Sequence, residues 1–516
     1  MTLSPRDARV SQRGISPDLD TQRKVAAVVS VGLAKKFPSD VDAVIVGLTE
    51  VSGTPALVDV PAEVAKAFGK QFGPPLSVAL DLGAQSTIGN VTLLPTAGPR
   101  LVIVGLGDVD VTPEQVRRAV GNGVRALAGL EPQRPLHVAV SLDLAEPEVI
   151  KGAVEGALLG AYRFTKIGSE PRDLLGTLTV LSRSDAKDAV AAAVAISAGV
   201  NQARDWINAP ANLLYPQTFA EAAEKVARQA RLSVSVLDEK ALAKEGFGGI
   251  LAVGSGSSRP PRLVRLSYAP RGARTHLALV GKGITFDTGG INLKPSESMF
   301  TMKSDMSGAA AVIAAISVIA RLGLKVKVTA YAAMAENLPS ATAYRPSDVL
   351  TMYGGTTVEN YNSDAEGRLV MADALVRASE DQPDLIVDVA TLTGACVVAL
   401  GERTSGLMAT DDQTADLVLD AAEAAGEAFW QLPITDEAGE VLKSKVADLR
   451  SGGKRWGGAL VAAAFLREFV GDDIAWAHLD IAGAGFNEHD PYDYVPAGGT
   501  GVAVRTLVAL AQSLQG

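Results

Sequence analysis

Cysteine and histidine are scarce in this chain, which has 1 Cys and 4 His among 516 residues. A single cysteine, Cys396, excludes an internal disulfide framework and any zinc site built from cysteine pairs. The histidines are scattered and form no HExxH motif, and no GxSxG nucleophile elbow is present. The sequence therefore gives little support to a histidine-based zinc site or a Ser–His–Asp triad. We expect Cys396 to be buried and His478 to be a hydrogen-bonded structural residue.

Long apolar runs and excess positive charge are also missing. No apolar run is long enough to span a bilayer, and the polar N-terminus lacks the apolar segment of a signal peptide. These features predict a cytoplasmic protein without a membrane partner. The net charge of −10 and the pI near 5.1 make nucleic acid an unfavoured partner.

Glycine, in contrast, is abundant at 51 residues, and short β-branched segments alternate with helical patterns. This alternation predicts an α/β fold with two domains. We place a smaller N-terminal α/β domain at residues 1–185, with 1–23 as a loose tail. A larger catalytic domain over 186–516 would contain a mixed central sheet flanked by helices. A long helix near 184–206 would join the two domains.

Local patterns predict individual elements of both domains. Strands are expected over 43–46, 101–104, 137–141, 178–181, 277–280, 325–332, 385–390 and 474–479. Helices are expected over 113–128, 148–164, 219–229, 308–322, 369–379 and 459–470. Thr218 is predicted to cap the helix over 219–229.

The stretch from Gly281 to Leu369 concentrates side chains that carry chemistry. It holds four carboxylates, two lysines and an arginine: Asp287, Asp305, Asp364, Glu366, Lys282, Lys294 and Arg368. Asp287 is expected in a loop just past a strand end, where open α/β sheets bind ligands. Asp305 is expected at the start of the helix over 308–322. Arg368, at the N-terminus of the next predicted helix, would form an anion pocket beside Gly367.

Four carboxylates in one site repel one another, and bound cations are the usual compensation. Two divalent ions would balance the charge, and a hydroxide shared between them would be the nucleophile. This points to a carboxylate-rich two-metal hydrolase. The roles of the two lysines stay open at this level. A lysine binds metal only when neutral, whereas a charged lysine stabilises an oxyanion.

The segments Gly281-Lys-Gly-Ile-Thr-Phe-Asp-Thr-Gly-Gly290 and Asn362-Ser-Asp-Ala-Glu-Gly-Arg-Leu369, with Lys294 and Asp305, resemble the leucine aminopeptidase family of metallopeptidases (cytosol aminopeptidases). The family signature reads Asn-Thr-Asp-Ala-Glu-Gly-Arg-Leu, and Ser363 keeps the hydroxyl of the threonine. The resemblance implies a metal-dependent aminopeptidase of intracellular peptide turnover. It would release the N-terminal residue, preferably Leu or another apolar residue, from peptides with a free N-terminus.

The resemblance also implies a ligand set for two divalent metal ions, Mn or Zn. Lys282 would be a neutral lysine ligand that completes one metal site with Asp287, Asp305 and Glu366. The other metal site would use Asp287, Asp364 and Glu366.

Further roles are implied for residues around the metal ions. Lys294 would be a charged catalytic lysine that polarises the scissile carbonyl and contacts the substrate. Arg368 would hold a bicarbonate that acts as general base, with Gly367 and Leu392 at the same cofactor site. The substrate side-chain pocket would be formed by Met302, Thr391, Gly394 and Ala482. Family members are typically homohexamers.

Two other readings stay open at the level of the sequence. One is a DNA-binding or scaffolding protein that keeps an aminopeptidase fold, although the acidic charge argues against it. The other is a two-metal phosphoesterase. Oxygen-rich ligands with one nitrogen suit Mn²⁺, Zn²⁺, Mg²⁺ or Co²⁺, so the native metal is not fixed.

Overall fold

The computed structural model describes residues 29–95, 98–107, 110–169, 173–453 and 455–515. The predicted loose tail at 1–23 lies outside the described residues. Within them, the chain forms two layered α/β units, each built on its own sheet. The two-domain α/β prediction is therefore confirmed, while the boundary at residue 185 stays a prediction.

The first unit is built on a seven-stranded sheet with the order β1-β7-β6-β2-β5-β4, in which β3 also pairs with β2. Its strands are β1 Ser30–Ala34, β2 Ala43–Val51, β3 Thr54–Val58, β4 Val91–Leu93, β5 Arg100–Gly107, β6 Leu136–Ser141 and β7 Leu175–Leu181. Its helices are α1 Ala62–Phe72, α2 Pro75–Asp81, α3 Pro113–Ala128 and α4 Pro147–Gly160. Apolar clusters cover both sheet faces, so the unit has a three-layer α/β/α architecture.

Helix α5, Lys187–Asn208, connects the two units. Its first turns pack Val190 and Ala193 into the core of the first unit, and its later turns pack Val200 and Trp206 into the core of the second. The long helix predicted near 184–206 is thus present, and it belongs to both cores.

The second unit is built on an eight-stranded mixed sheet with the order β16-β15-β18-β14-β10-β11-β9-β8. Its strands are β8 Ser233–Leu237, β9 Arg262–Tyr268, β10 His276–Asp287, β11 Lys327–Asn337, β14 Leu385–Ala390, β15 Ser405–Ala409, β16 Phe429–Gln431 and β18 Ala475–Asp480. Short pairs outside this sheet are β12 Val349–Thr351 and β13 Thr357–Glu359, with β17 Leu449–Arg450, and β19 Phe486–Asn487 with β20 Gly498–Gly499.

Helices cover both faces of this sheet because alternate strand residues face two different apolar clusters. They are α6 Pro216–Ala230, α7 Glu239–Glu245, α8 Gly248–Gly254, α9 Ser296–Met299, α10 Ser307–Leu322, α11 Glu366–Glu380, α12 Gly394–Leu400, α13 Asp412–Ala425, α14 Asp436–Glu440, α15 Gly458–Arg467 and α16 Val504–Ser513. By length and composition, the described stretch Ser296–Leu322 would be long and apolar enough to cross a membrane. However, 83% of its apolar window is buried inside the molecule, as in a core helix.

The structure corrects the predicted position of Asp287. Strand β10 does not stop at residue 280 but continues through Gly281 and Gly283 to Asp287, pairing with β11 as far as Asn337. The glycines serve close packing rather than a turn. A Cβ at Gly281 would lie 2.6 Å from the Cα of Ala309 in α10.

Two further expectations about helix starts are wrong. Helix α6 begins at Pro216 rather than at residue 219, because proline fits the first helical position, where no hydrogen-bond donor is needed. Thr218 therefore lies inside the helix, and its hydroxyl accepts from the Tyr215 N–H at 3.0 Å. Asp305 does not begin α10 but follows a short 3₁₀ turn, Met302–Ser304.

Candidate active site

Lys282 lies midway along β10, one residue past the end of its pairing with β14, and is buried. Its Nζ is 2.8 Å from Asp305 Oδ1, 2.8 Å from Glu366 Oε1, and donates to the Thr391 carbonyl at 3.0 Å. Strand β14 ends beside this point, since its pairing with β10 stops at Gly281. The lysine therefore projects into space where the sheet opens, and it draws together carboxylates from two separate segments.

Asp287 and Lys294 form the second half of the cluster. Lys294 Nζ lies 2.9 Å from Asp287 Oδ2 and 2.5 Å from Asp364 Oδ1. The other Asp287 oxygen accepts hydrogen bonds from the Gly289 N–H and from Asn337 Nδ2, both at 2.8 Å. The orientation of the Asp287 carboxylate is thus fixed by three groups, two from the loop after β10 and one from the end of β11.

The segment 362–369 supplies its acids from a turn that leads into a helix. Asp364 lies in a 3₁₀ turn, Ser363–Ala365, and Glu366 is the first residue of α11. The Ser363 hydroxyl accepts from the Asn292 N–H at 2.8 Å and donates to the Gly289 carbonyl at 2.7 Å. This residue therefore uses the hydroxyl that the signature threonine would supply to join the segment to the loop after β10.

The arrangement of the carboxylates fits a divalent cation. Asp287, Asp364 and Glu366 each offer an oxygen within 4.8 Å of the others. Among the described residues, no group donates to the buried oxygens Asp305 Oδ2 and Glu366 Oε2. Buried carboxylate oxygens without donors are costly. Hard oxygen donors of this kind are the ligands that Mg²⁺, Mn²⁺ and Zn²⁺ accept.

The pKa values of the acids reflect an excess of negative charge. Burial raises the pKa of Asp287 to about 6, and the Glu366 charge adds to the effect. Burial also raises the pKa of Asp305 well above its usual value and raises that of Asp364. Burial opposes ionisation of Glu366 too, but Lys282 and Lys294 hold its pKa below the usual value. Four carboxylates and two ammonium groups leave negative charge uncompensated, which favours a cation.

Both lysines are held in the charged form by the acids around them. Burial disfavours the Lys282 ammonium, but Asp305, Glu366 and Asp287 outweigh burial and raise its pKa. The pKa of Lys294 is raised in the same way, by Asp287, Glu366 and Asp364 against burial.

Arg368 occupies the first turn of α11, as predicted. Its Nη1 donates to the Ser451 carbonyl at 2.8 Å, and burial lowers its pKa to about 10. Its Nε is buried and has no acceptor among the described residues. Gly367 next to it allows the Lys282 side chain to pass, because a Cβ there would lie 2.7 Å from Lys282 Nζ. A helix N-terminus with an unpaired arginine donor is suited to a small anion.

Asp480 at the end of β18 holds the loop that follows β14. It accepts from the Leu392 N–H at 3.1 Å, from the Thr393 hydroxyl at 2.7 Å and from the Ala482 N–H at 3.2 Å. Thr391 in the same loop donates to Asp305 Oδ1 at 2.7 Å. The Asp480 carboxylate thus fixes the position of the backbone at Leu392 and Ala482 on one side of the site.

All the sequence-predicted site residues line a single cleft of about 330 Å³. They are Lys282, Asp287, Lys294, Met302, Asp305, Asp364, Glu366, Gly367, Arg368, Thr391, Leu392, Gly394 and Ala482. Their individual roles stay predictions, but their convergence is a property of the fold.

Sequence reasoning missed three groups of this site. Asn337 bridges Asp287 to the Ser363 carbonyl, which its Nδ2 contacts at 2.9 Å. Asp480 holds the Leu392 loop, and Glu402 pairs with His489 on the cleft wall. Each acts on residues far away in the chain, so no local motif marks it.

Two predictions outside the acid cluster are confirmed. Cys396 is buried, and His478 is buried with its Nδ1 2.5 Å from Asp388 Oδ1.

A buried carboxylate–lysine cluster at the open end of a mixed sheet, beside an unpaired arginine donor, is suited to the chemistry of the class of metal-dependent hydrolases. Comparison with known proteins narrows this class. Residues 201–508 match the cytosol aminopeptidase family, catalytic domain, and residues 78–171 match the N-terminal domain of the same family.

Curated relatives cover nearly the whole chain. The probable cytosol aminopeptidase of Cutibacterium acnes is 53% identical over 481 residues, which cover 92% of this chain and 94% of the relative. That of Streptomyces avermitilis is 49% identical over 496 residues, covering 91% and 95%. The chain belongs to the cytosol aminopeptidase family, and the predicted resemblance is confirmed.

Solved structures agree with this assignment. The bottromycin maturation enzyme BotP in complex with Mn matches with a TM-score of 0.81 and 39% identity, covering 92% of this chain and 100% of that one. A mutant of tomato leucine aminopeptidase matches with a TM-score of 0.84 and 31% identity, covering 95% and 97%. The protein is a hydrolase of the aminopeptidase type, its substrates are peptides, and its family is metal-dependent.

Proposed function

We propose that this aminopeptidase releases N-terminal Leu and other apolar residues from peptides, using two divalent metal ions, in cytoplasmic peptide turnover. The observation that carries the proposal is the convergence of four acids and two lysines in one cleft, with two carboxylate oxygens left buried without donors. Neither the DNA-binding alternative nor the phosphoesterase alternative is favoured by a specific feature of the site.

The metal ligands would be Lys282, Asp287, Asp305, Asp364 and Glu366. Ions held there would supply Lewis-acid activation of water and of the peptide carbonyl. The manganese in the BotP structure supports Mn²⁺, and Zn²⁺ suits the same donors.

The two lysines would then take different roles. For Lys282 to become a ligand it has to lose its proton, and the charge of a nearby cation favours that loss. Lys294, which is less deeply buried, would keep its charge and face the scissile carbonyl. Arg368 would hold a bicarbonate that supplies the general base, with Gly367 and the Leu392 backbone beside it. The unpaired Arg368 Nε supports this assignment.

The substrate side chain would occupy the part of the cleft lined by Met302, Thr391, Gly394 and Ala482. Small or apolar groups dominate this set, which supports a preference for Leu and similar residues. The free α-amine would bind among the carboxylates, which restricts cleavage to the N-terminus.

We infer a homohexameric assembly, as is typical of the family. Exposed apolar side chains support extensive subunit contacts, since Phe300, Val398 and Trp456 are 85%, 86% and 78% exposed in the single chain. Light scattering on the purified protein measures the assembly directly, and a monomer would contradict it.

The central test removes one lysine and one acid. Lys294→Ala should lower kcat for a leucine anilide by about a hundred- to a thousandfold, because a group that stabilises developing charge is worth this much. Asp364→Ala should lower kcat at least as far, because it removes a proposed metal ligand. After chelator treatment, the melting temperature of each variant should stay near that of the wild type treated in the same way. Lys443→Ala is the matched control, since Lys443 is an exposed lysine paired with Glu440 outside the cleft.

The wild type should cleave leucine amide, ignore its N-acetyl form, and ignore phosphate monoesters. Metal analysis of protein purified without chelator would identify the native ions. Near-normal kcat in Lys294→Ala or Asp364→Ala, or turnover of phosphate esters in preference to peptides, would contradict the proposal.

A further inference from the structure

The segment 486–495, called the wall loop below, reaches from the active-site cleft to the N-terminal unit. Its first four residues, Phe486, Asn487, Glu488 and His489, line the cleft. Its last residues, Asp493 and Tyr494, contact helix α3 of the N-terminal unit. One short segment therefore connects the substrate cleft with the other domain.

Asp493 is the main attachment point of the wall loop. Its Oδ2 accepts from Arg118 Nε at 2.9 Å, and its Oδ1 accepts from Asn122 Nδ2 at 2.9 Å. Arg125 Nη1 donates to the Asp493 carbonyl. All three donors lie on successive turns of one face of α3. Asp493 also has φ of +45°, a left-handed conformation that side-chain-bearing residues adopt rarely. The three donors hold it there.

Tyr494 packs beside this attachment. A Cβ at Gly121 in α3 would lie 2.8 Å from the Tyr494 Cβ, so the helix and the loop are in close contact. The Tyr494 hydroxyl donates to Glu114 Oε1 at 3.0 Å, and Arg204 Nη2 donates to the Tyr494 carbonyl at 3.2 Å. The end of the wall loop is thus fixed by α3 and α5.

At the cleft, the wall loop has contacts with the catalytic unit through its side chains. His489 Nε2 lies 2.7 Å from Glu402 Oε2, and the Thr301 hydroxyl donates to Glu488 Oε1 at 3.2 Å. The Arg403 guanidinium lies 3.9 Å above the Tyr492 ring. The His489–Glu402 pair is well exposed, and exposed pairs of this kind contribute little to stability.

A second cavity, of about 750 Å³, lies along the outer side of this region and is lined by Arg118, Asp493, Tyr494 and Arg403 among others. Arg118 and Asp493 face this cavity, whereas Tyr494 and Phe486 also pack against the core of the catalytic unit. On the cavity side, the polar attachment to α3 therefore supplies contacts in place of the packing that an empty space forfeits.

We propose that Asp493, Arg118 and Asn122 are positioning residues, through which the N-terminal domain fixes the wall of the cleft that contacts the peptide substrate. This proposal rests on the aminopeptidase function proposed above. It gives the N-terminal domain an indirect part in substrate binding, because none of its described residues lines the cleft.

The test compares kcat, KM and melting temperature for a leucyl tetrapeptide in Asp493→Ala, Asp493→Asn, Arg118→Ala and the double variant Arg118→Ala/Asp493→Ala. Asp493→Ala should raise KM about five- to twentyfold and leave kcat within about twofold. The acids and lysines of the site stay in place, whereas the wall loop that contacts the peptide shifts. Asp493→Asn should recover part of this loss, since asparagine keeps an acceptor and tolerates the left-handed conformation. The double variant should differ little from Asp493→Ala alone, because Asp493→Ala already removes the contact that Arg118 makes with the wall loop.

Arg163→Ala is the matched control, since Arg163 donates to the Ala128 carbonyl within the N-terminal unit and does not line the cleft. It should leave KM unchanged. An unchanged KM in both Asp493→Ala and Arg118→Ala would overturn the proposal, and so would a loss of kcat and melting temperature without a change in KM. If Asp493→Ala fails to fold, Arg118→Ala decides alone, because its side chain is 40% exposed.

Hydrogen exchange of the wall loop gives a readout that is independent of activity. Amides of residues 486–490 should exchange faster in Arg118→Ala than in the wild type or in Arg163→Ala. Equal exchange would contradict the positioning role. A wild type inactive on leucyl peptides would overturn the proposed function instead, while the exchange measurement would still decide the structural part.

Discussion

At the scale of single residues, Gly367 shows how strictly the site constrains side-chain size. A Cβ at this position would lie 2.6 Å from Lys282 Cε and 2.7 Å from its Nζ, although Gly367 itself bears no ligand atom. We predict that Gly367→Ala displaces the Lys282 side chain and lowers kcat/KM by about a hundredfold, the loss typical of a small misplacement in an active site. Steady-state kinetics and metal titration would measure it.

The control for this prediction is a glycine-to-alanine change of equal size in another helix. Gly439 lies in α14, and a Cβ there would meet no atom within 4 Å. Gly439→Ala should retain full activity and full metal binding. Equal activity of Gly367→Ala and Gly439→Ala would show that the lysine side chain is free to move.

The sequence was enough to predict which acids and lysines form the cluster, but not which other residues hold them in place. Two acids or lysines lie in each of two compact motifs, 281–290 and 362–369, with Lys294 and Asp305 shortly after the first motif, and the resemblance gave them their partners. Asn337 and Asp480 act across pairs of strands distant in the chain, and only the register of β10 with β11 and of β14 with β18 brings them to the site. A single sequence contains no local signal for such register.

At the scale of elements, strand ends were the least predictable feature. The strands over 43–46 and 385–390 and the helix over 113–128 appear where β-branched runs and helical periodicity placed them. The strand predicted over 277–280 is shorter than β10 because Gly281 and Gly283 suggest a turn in the sequence. In the fold, these two glycines instead allow close contact with α10 and β11. Tertiary packing thus overrode the local preference of glycine.

The start of β10 also carries a testable pH dependence. His276 is buried, its Nε2 lies 2.9 Å from Thr329 Oγ1 of β11, and burial lowers its pKa to about 4. Unfolding restores a pKa near 6.5, so the unfolded chain binds more protons between these values. The stability that the neutral imidazole contributes is therefore complete above pH 6.5 and is lost as the pH falls toward 4.

We predict that His276→Gln flattens the pH dependence of the melting temperature between pH 4.5 and 6.5, by an amount equivalent to roughly 1–3 kcal/mol of unfolding free energy. Thermal melts of wild type and variant in parallel buffers would measure it. Parallel curves for the two proteins would show that His276 takes up its proton in the folded state as readily as in the unfolded chain. The raised pKa values of Asp287 and Asp364 give the opposite slope, but both residues are common to the two proteins and cancel in the comparison.

At the scale of the whole molecule, the two units are joined through a common helix and not only by contact between their surfaces. Helix α5 contributes to both cores, and Gly199 in it lies so close to α10 that a Cβ would be 2.4 Å from Val318. The wall loop adds a second connection at the cleft. The active site is therefore assembled by the catalytic unit and held in shape by contacts from the N-terminal unit.

Divalent metal ions should stabilise this molecule in a pH-dependent way. An ion that binds the folded state alone raises stability in proportion to the logarithm of its concentration over its dissociation constant. Protons compete with it at the buried acids and at Lys282, because the pKa of Asp287 is about 6 and the pKa of Lys282 is raised. We predict that Mn²⁺ or Zn²⁺ raises the melting temperature of chelator-treated protein, and that the rise at pH 7.5 exceeds the rise at pH 5.5. Asp364→Ala should lose most of the rise, whereas Asp448→Ala, which removes an exposed acid paired with Thr357, should keep it. A rise of the same size in both variants would place the bound ions outside the acid cluster.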